Sequence, residues 1–143
     1  MIGPILLHEL CIYHYLCVDK KYVVNVVTGD HRGGGTDANV FLTMYGDKGD
    51  SGERKLHKSE TNTDKFERGK TDRFSLEAVD LGKLYKVKIR HDNSMLSPAW
   101  FLDRVEVNDV QENQNYVFHC ERWLGKNKDD GKIERNLYVK VRS

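Results

Sequence analysis

The sequence has few cysteines, few prolines and no excess of charge of either sign. Its 143 residues include three cysteines and two prolines, and 23 basic residues against 22 acidic ones leave a formal net charge of +1. The cysteines lack a metal-ligand spacing such as C-x-x-C, and their odd number argues against a disulfide framework, which favours reduced thiols in the cytosol. The balanced charge argues against a nucleic-acid-binding protein, because such proteins concentrate basic residues on one face.

Catalytic and targeting motifs are also missing. The chain has no G-x-S-x-G nucleophile elbow and no H-E-x-x-H zinc pair, so we expect no enzymatic activity. Residues 1–20 are apolar but contain His8, Glu9 and His14, and they lack the basic start and small-residue cleavage site of a signal peptide. They are too short and polar for a transmembrane helix. We therefore expect residues 1–20 to be poorly ordered or outside the domain, and the domain to comprise residues 21–143.

What the chain has is a series of short strand patterns separated by turn signals. In the clearest, Tyr85–Arg90, the predicted inward residues Tyr85, Val87 and Ile89 alternate with three basic residues, as in a half-buried antiparallel strand. Strands are predicted at residues 22–27, 40–45, 53–58, 73–79, 85–90, 100–107, 115–120 and 136–141. No long amphipathic helix pattern occurs. The sequence predicts an all-β, eight-stranded antiparallel β-sandwich of two sheets.

One loop between the first two predicted strands concentrates glycine and oxygen-bearing side chains. Three consecutive glycines, Gly33–Gly35, precede Thr36, Asp37 and Asn39. Glycine allows positive φ and close backbone approach, and the following residues present oxygen atoms at the same sheet edge. Such a loop either holds a hard cation such as calcium or is simply a tight turn.

Five motifs in one order resemble the PLAT (lipoxygenase homology) domain family, over residues 21–137. They are YVVNVVTG at 22–29, GTDANV at 35–40, KFERG at 65–69, WFL at 100–102 and FHCERWL at 118–124. Segments 51–56 and 66–69 are most similar to tandem-PLAT proteins of hair-cell stereocilia. The resemblance implies a sandwich that binds proteins or membranes, often with calcium at one end. It also implies flanking sister PLAT domains and a cytoplasmic, membrane-proximal location, in the stereocilium if the finer likeness holds.

In calcium-binding members of the family, two loops supply the ligands. Carried over residue by residue, the resemblance implies five calcium ligands in this chain. They are the backbone carbonyls of Gly35 and Thr36 and the carboxylates of Asp37, Asp64 and Glu67. Calcium prefers such mixtures of carboxylate, carbonyl and water oxygens.

Lys65 departs from the family pattern, because the position after Asp64 is acidic in some calcium-binding relatives. Its ammonium either points away from the cluster or neutralises it in place of a metal, and Asn62 is a candidate for a further oxygen. In the alternative without a metal, Asp37 caps a turn and Glu67 pairs with Arg68, Arg73 or Lys65.

Membrane-binding relatives expose tryptophans at loop tips, where an indole suits the bilayer interface. The corresponding positions here are Arg32 and Met95, so the apolar tip is Met95–Leu96, while Trp123 matches a third tryptophan position. Trp100 opens a strand and is expected in the core.

Two functional hypotheses follow. The first is a non-catalytic module that binds and tethers a protein partner within a larger membrane-associated scaffold, tuned by calcium if the two-loop site is occupied. The alternative is a calcium-dependent module that binds lipid headgroups through Met95, Leu96 and basic loop residues. No nucleic-acid partner is expected.

Overall fold

The computed structural model describes residues 19–140, so the predicted N-terminal segment, apart from Asp19 and Lys20, lies outside the described residues, as do residues 141–143. Nine strands form within this range: β1 (Lys20–Thr28), β2 (Val40–Gly46), β3 (Gly49–Asp50), β4 (Arg54–Lys55), β5 (Thr71–Ala78), β6 (Leu84–His91), β7 (Trp100–Asp109), β8 (Gln114–Leu124) and β9 (Glu134–Tyr138). Residues 19–140 contain no helix with the length and hydropathy that crossing a bilayer requires.

The strands form two antiparallel sheets packed face to face. The first sheet has the order β5-β1-β7-β8, and the second has the order β3-β2-β6-β9, with β4 also paired to β2. This confirms the predicted all-β, two-sheet sandwich. Each predicted strand segment overlaps an observed strand, but segment 53–58 forms only the two-residue β4, after which Leu56 enters the core. The two-residue β3 was not among the predicted strands.

Roughly alternate residues along the long strands form the core between the sheets. Fully buried side chains include Tyr22, Val24, Val26, Leu42, Met44, Val87, Ile89, Val105, Val107 and Phe118. Trp100 is also fully buried, which confirms its predicted place in the core. Its indole Nε1 donates to Thr28 Oγ1 at 2.9 Å, so the polar atom of this large side chain is satisfied.

The prediction for Tyr85 was wrong: its side chain is 51% exposed, whereas Val87 and Ile89 are buried as expected. The register between β2 and β6 shifts after Tyr45, where Gly46 pairs with Leu84 instead of the next residue in phase. This bulge reverses the alternation at the start of β6, so Leu84 is buried and Tyr85 faces solvent.

All connections that carry the predicted site residues lie at one end of the sandwich. We call this the loop end, formed by residues 29–39, 56–70, 92–99 and 125–133. The described chain begins and ends at the opposite end, where the Val110 N–H donates to the Lys21 carbonyl at 3.2 Å.

Candidate functional site

The glycine-rich loop is held between the two loops beside it. The Thr36 N–H donates to the Phe66 carbonyl at 2.9 Å, and the Thr36 hydroxyl donates to the Pro98 carbonyl at 2.8 Å. A Cβ atom on Gly35 would lie 2.9 Å from the Phe66 oxygen, closer than side-chain carbons approach. Glycine at position 35 therefore lets the two predicted ligand loops meet.

Thr36, rather than Asp37, caps the turn. The Thr36 hydroxyl accepts the Ala38 N–H at 3.1 Å, whereas the exposed carboxylate of Asp37 accepts no hydrogen bond from the described residues. Within residues 19–140, the carbonyls of Gly35 and Thr36 also accept none. The capping role proposed for Asp37 in the alternative without a metal is therefore not observed.

The predicted ligands line two adjoining hollows, which share Thr36 and Asp37. The Glu67 hollow, of about 300 Å³, is lined by residues 33–37, Glu67, Arg68, Leu96 and Ser97. The Asp64 hollow, of about 200 Å³, is lined by residues 36–39, 55–57 and 63–66. The structure thus brings Asp37 beside Asp64 in one hollow and beside Glu67 in the other, and it does not unite the three carboxylates around a single hollow.

The donor set of these hollows suits a hard cation only in part. Its protein donors are carboxylate and carbonyl oxygens, which calcium prefers, but they are fewer than the six to eight that it takes, so water would complete the shell. Residues 19–140 contain no group of three or more His, Cys, Asp or Glu side chains arranged to hold a metal. The two-loop calcium site remains a prediction.

Nearby cations do not neutralise Glu67. The Arg68 guanidinium Nε lies 2.7 Å from Asp30 Oδ1, and Arg73 Nε contacts Asn25 Oδ1 at 3.5 Å. Glu67 makes no ion pair in the described part of the chain. Lys65, which is partly buried, lines the Asp64 hollow and adds positive charge beside Asp37 and Asp64.

Sequence reasoning missed Asp72, a fully buried carboxylate that organises the second ligand loop. Its Oδ2 accepts the Phe66 N–H at 2.8 Å, and its Oδ1 accepts the Ser59 hydroxyl at 2.7 Å and the Asn62 amide at 3.2 Å. The Asn62 side chain therefore braces this loop through its amide nitrogen. The alternation of β5 carried the signal, because Asp72 is in phase with the buried Phe74.

Asp92 anchors the third loop, which carries the apolar tip. Its carboxylate accepts hydrogen bonds from Ser94 and from both the backbone and side-chain nitrogens of Asn39. These hydrogen bonds, that of the Ser94 hydroxyl first, hold the pKa of the Asp92 carboxyl well below its usual range. Beyond this anchor, Met95 is 69% exposed and Leu96 is 91% exposed, as a loop tip requires.

Arg32 and Trp123 occupy different settings. Arg32 is exposed in the glycine-rich loop. Trp123 is partly buried near the end of β8, with its ring edge-on to Phe101 at 5.4 Å and the Lys128 Nζ 4.8 Å from its centroid. Phe101 in turn stacks on His31 at 3.8 Å. Trp123 therefore belongs to an aromatic row on the sheet rather than to a loop tip.

Comparisons with known proteins agree with the fold. A family model described as the PLAT/LH2 domain matches residues 22–138. Lipoxygenase homology domain-containing protein 1 of Homo sapiens is 52% identical over 120 residues, which cover 83% of this chain and 6% of that protein. Polycystin-1-like protein 3 of Homo sapiens is 35% identical over 115 residues, covering 80% of this chain and 6% of that protein. The chain thus spans only a small part of these relatives.

Among solved structures, a coral 8R-lipoxygenase is similar, with 28% identity and a TM-score of 0.71. The match covers 83% of this chain and 17% of the lipoxygenase, whose structure is described in terms of calcium activation via a C2-like domain.

Proposed function

The chain belongs to the PLAT/LH2 domain family, and from that premise we propose that it is a non-catalytic, calcium-tuned docking module that binds a protein partner through its loop end. The module would tether that partner within a larger membrane-associated scaffold. Because the chain matches 6% of its human relative, many such domains fit in a protein of that length. We accordingly propose flanking sister PLAT domains and a cytoplasmic, membrane-proximal location, in the stereocilium if the tandem-PLAT likeness extends to location.

The observation that carries the proposal is the Glu67 hollow, where oxygen ligands and an apolar tip meet. Gly35, Thr36, Asp37 and Glu67, whose carbonyls and carboxylates are the proposed ligands, line the same hollow that Leu96 borders. A cation bound there would remove negative charge from beside the exposed apolar tip and would brace the loops that present it. Calcium would thereby favour docking of the loop end.

The size of the apolar tip favours a protein partner over a bilayer. Complete burial of Met95 and Leu96 would contribute about 3–6 kcal/mol, whereas association costs about 4–15 kcal/mol in lost rigid-body freedom and ordering. The tip alone therefore does not support stable docking. A protein surface can add hydrogen bonds and shape complementarity around the tip, which supply the remainder.

A calcium titration of thermal unfolding tests the site. A cation that binds only the native state raises stability by RT ln(1 + [L]/Kd), so at a hundredfold excess over Kd the gain is about 2.7 kcal/mol. We expect millimolar calcium to raise Tm, and Asp37→Asn and Glu67→Gln each to diminish the rise. Asp19→Asn, exposed at the opposite end, is the matched control and should keep it. Absence of any rise, or an equal rise in Asp37→Asn, would remove this site.

A second candidate function, calcium-dependent binding of lipid headgroups, is favoured by the exposure of Met95 and Leu96 at 69% and 91%. Co-sedimentation with phosphatidylserine and phosphatidylcholine vesicles, in calcium or chelator, separates it from the protein-docking proposal. Lipid binding requires calcium-dependent sedimentation with the anionic vesicles that Leu96→Ser weakens. Val79→Ser, at a position 51% exposed at the opposite end, is its control. No sedimentation with either vesicle would exclude the lipid function.

A further inference from the structure

The free edges of the two sheets differ in how they are covered. Residues 54–62, which precede β5 in the chain, cover its outer edge through hydrogen bonds to three backbone carbonyls. The Glu60 N–H donates to the Arg73 carbonyl at 2.8 Å, the Asn62 Nδ2 donates to the Thr71 carbonyl at 2.8 Å, and the Arg54 Nη1 donates to the Glu77 carbonyl at 2.9 Å. The β3–β4 edge consists of two strands of two residues each. Neither offers a length of free backbone, which is how soluble proteins protect sheet edges.

The edge of β8 is not protected in this way. The Val110 N–H donates to the Lys21 carbonyl, so the backbone groups of Val110 point toward β1. Because backbone N–H and C=O groups alternate in direction along an antiparallel strand, those of Asp109, Val107 and Val105 point toward β8. The register pairs Val105 with Phe118 and Val107 with Tyr116. The intervening backbone groups of Asn115, Val117 and His119 therefore face outward, and no described residue bonds to them. Residues 114–120 also contain no Lys or Pro, the usual guards of an edge.

The edge of β9 is open as well and borders the same space. Val139 N–H donates to Tyr85 C=O at 3.2 Å, so the alternation leaves the backbone of Asn136 and Tyr138 facing outward. A groove of about 790 Å³ runs between the strands, lined by residues 119–120, 122 and 130–138 among others. A second hollow of about 700 Å³ shares His119 with it and continues along residues 115–117. We call this continuous space the β8–β9 groove.

The β8–β9 groove has an apolar floor. Tyr116, Cys120 and Val139 are partly buried and pack against the core, next to the buried Leu137. Burial raises the pKa of the Cys120 thiol, so this side chain acts as an apolar surface rather than as a nucleophile. Alternate side chains of an added strand would rest on such a floor.

Where the groove meets the loop end, its charged side chains have an excess of positive charge. Arg122 and Arg135 are each paired with an aspartate, at 2.8 Å to Asp129 and 2.8 Å to Asp130. Lys126 and Lys132 make no ion pair with any residue between 19 and 140. Arg135 is buried, and its Nε has no hydrogen-bond partner in the described structure. Unpaired cations beside an apolar floor complement a segment that combines apolar and acidic residues.

We propose that the β8–β9 groove binds an extended apolar and acidic peptide segment of a partner protein, which adds as a strand to the free edge of β8. Backbone hydrogen bonds to Asn115, Val117 and His119 would give affinity, and Lys126 and Lys132 would select acidic side chains. A second copy of this chain fits less well, because residues 114–120 of its β8 edge contain no acidic side chain to complement Lys126 and Lys132. This surface goes beyond the docking function of the loop end and does not depend on it.

Hydrogen exchange and a displayed peptide library test the proposal. In the free full chain we expect the amides of Val117 and His119 to exchange fast and those of Tyr116 and Phe118 to be protected. Peptides selected from the library should alternate apolar and acidic residues. Adding one such synthetic peptide should protect the amides of Asn115, Val117 and His119.

Variants on the free edge of β8 and among the cations of the groove make the test specific. Val117→Pro removes an outward N–H without breaking the β7–β8 ladder and should weaken peptide binding roughly fivefold or more, whereas Val117→Thr keeps the N–H and the affinity. If Val117→Pro unfolds, the Lys126→Glu/Lys132→Glu double variant supplies the test. It should also weaken binding, unlike Lys83→Glu at the far end, and Leu96→Ser should leave peptide binding intact whether or not the loop end docks.

Three outcomes would overturn the proposal. Protection of the Val117 and His119 amides in the free chain at every concentration would mean that this chain covers its own edge. Protection that grows with protein concentration would mean that a second copy is the occupant. Selected peptides that bind the Val117→Pro and double-lysine variants as well as the original protein would mean that they bind elsewhere.

Discussion

Carboxylates of the same chemistry have opposite roles at the loop end, depending on their hydrogen-bond partners. Asp72 and Asp92 accept several hydrogen bonds each and hold two loops in place. Asp37, Asp64 and Glu67 are exposed and accept none from the described residues. A carboxylate with its hydrogen-bonding capacity saturated builds structure, while one with free lone pairs can receive a cation or a partner. This difference separates the scaffold of the candidate site from its proposed ligands.

Replacing Asp72 tests the scaffold role. In Asp72→Ala the buried Phe66 N–H would lose its acceptor, and so would the Ser59 hydroxyl. We expect the free energy of unfolding to fall by about 2–3 kcal/mol, as when buried polar groups lose a charged partner. Urea unfolding measures the change. Asp64→Ala, an exposed neighbour in the same loop, should change stability by less than about 0.5 kcal/mol in the absence of calcium; equal losses in both variants would contradict the role assigned to Asp72.

His91 predicts a pH dependence of stability. It is fully buried, its Nδ1 accepts the Asn93 N–H at 2.9 Å, and its Nε2 therefore carries the hydrogen donated to the Leu124 carbonyl at 2.8 Å. Burial lowers the pKa of His91 below the value of about 6.5 in the unfolded chain. Below pH 6.5 the unfolded chain takes up a proton that the folded chain does not. Stability therefore decreases as the pH is lowered, until the lowered pKa of the folded state is reached.

Urea unfolding between about pH 7.5 and 5 measures this effect, whose slope reaches at most about 1.4 kcal/mol per pH unit for one proton. His91→Gln should flatten the slope in this window, whatever its effect on stability at pH 7.5. His57→Gln, at an exposed position, should retain the slope. The stabilising effect of the lowered Asp92 pKa is present above about pH 3.9 and is lost below it, outside this window.

Among the elements, bulges and edges decide details that strand patterns do not. The shift between β2 and β6 exposes Tyr85, and Gly46 is the residue that permits it. A Cβ on Gly46 would lie 2.0 Å from the Leu81 oxygen. Leu81 has little freedom to move, because its N–H donates to Tyr22 Oη at 3.1 Å and its carbonyl accepts the Lys48 N–H at 3.0 Å.

Gly46→Ala should therefore cost about 2–3 kcal/mol of stability, the range of an overpacked site that has to shift its neighbours. Gly33→Ala is the control, since Gly33 has a φ of 71° but nothing within 4 Å of its Cβ position. Only the cost of left-handed backbone, about 1–2 kcal/mol, applies there. Urea unfolding of both variants should rank Gly46→Ala as the more destabilised, and the reverse order would contradict the steric explanation of the bulge.

At the scale of the whole molecule, the sandwich separates its proposed docking end from its connections. The described chain enters at Asp19 and leaves at Lys140, at the end opposite the tip formed by Met95 and Leu96. Neighbouring domains attached through those connections would leave the loop end free. The weak apolar contribution of one tip would then become useful through repetition, because linked modules bind a common surface with high effective concentration.

A chain with two copies of the domain joined by a flexible linker tests this arrangement. If the lipid function holds, we expect it to sediment with phosphatidylserine vesicles in calcium at a concentration about tenfold or more below that of a single copy. Leu96→Ser in both copies should remove most of the gain. Equal affinity of single and double copies would show that one tip engages at a time.

The sequence by itself predicted the fold class, because short strands of alternating apolar and polar residues, separated by turns and without a helix pattern, favour two sheets that pack face to face. It also determined the loops in which the proposed ligands lie and the burial of Trp100. Local pattern was insufficient wherever the outcome depended on a distant partner. The exposure of Tyr85 depended on the register shift at Gly46, which packs against Leu81. The role of Asp72 depended on its hydrogen bonds with Ser59, Asn62 and Phe66.

Only the tertiary structure decided how the site and the edges are arranged. The three carboxylates nominated together lie around two hollows rather than one, since Thr36 joins Phe66 and Pro98 and so sets the spacing of the loops. The open edge of β8 likewise follows from which strands neighbour one another. Local alternation of side chains determines which segments form strands, whereas the spacing between loops and the exposure of sheet edges depend on contacts between residues far apart in the chain.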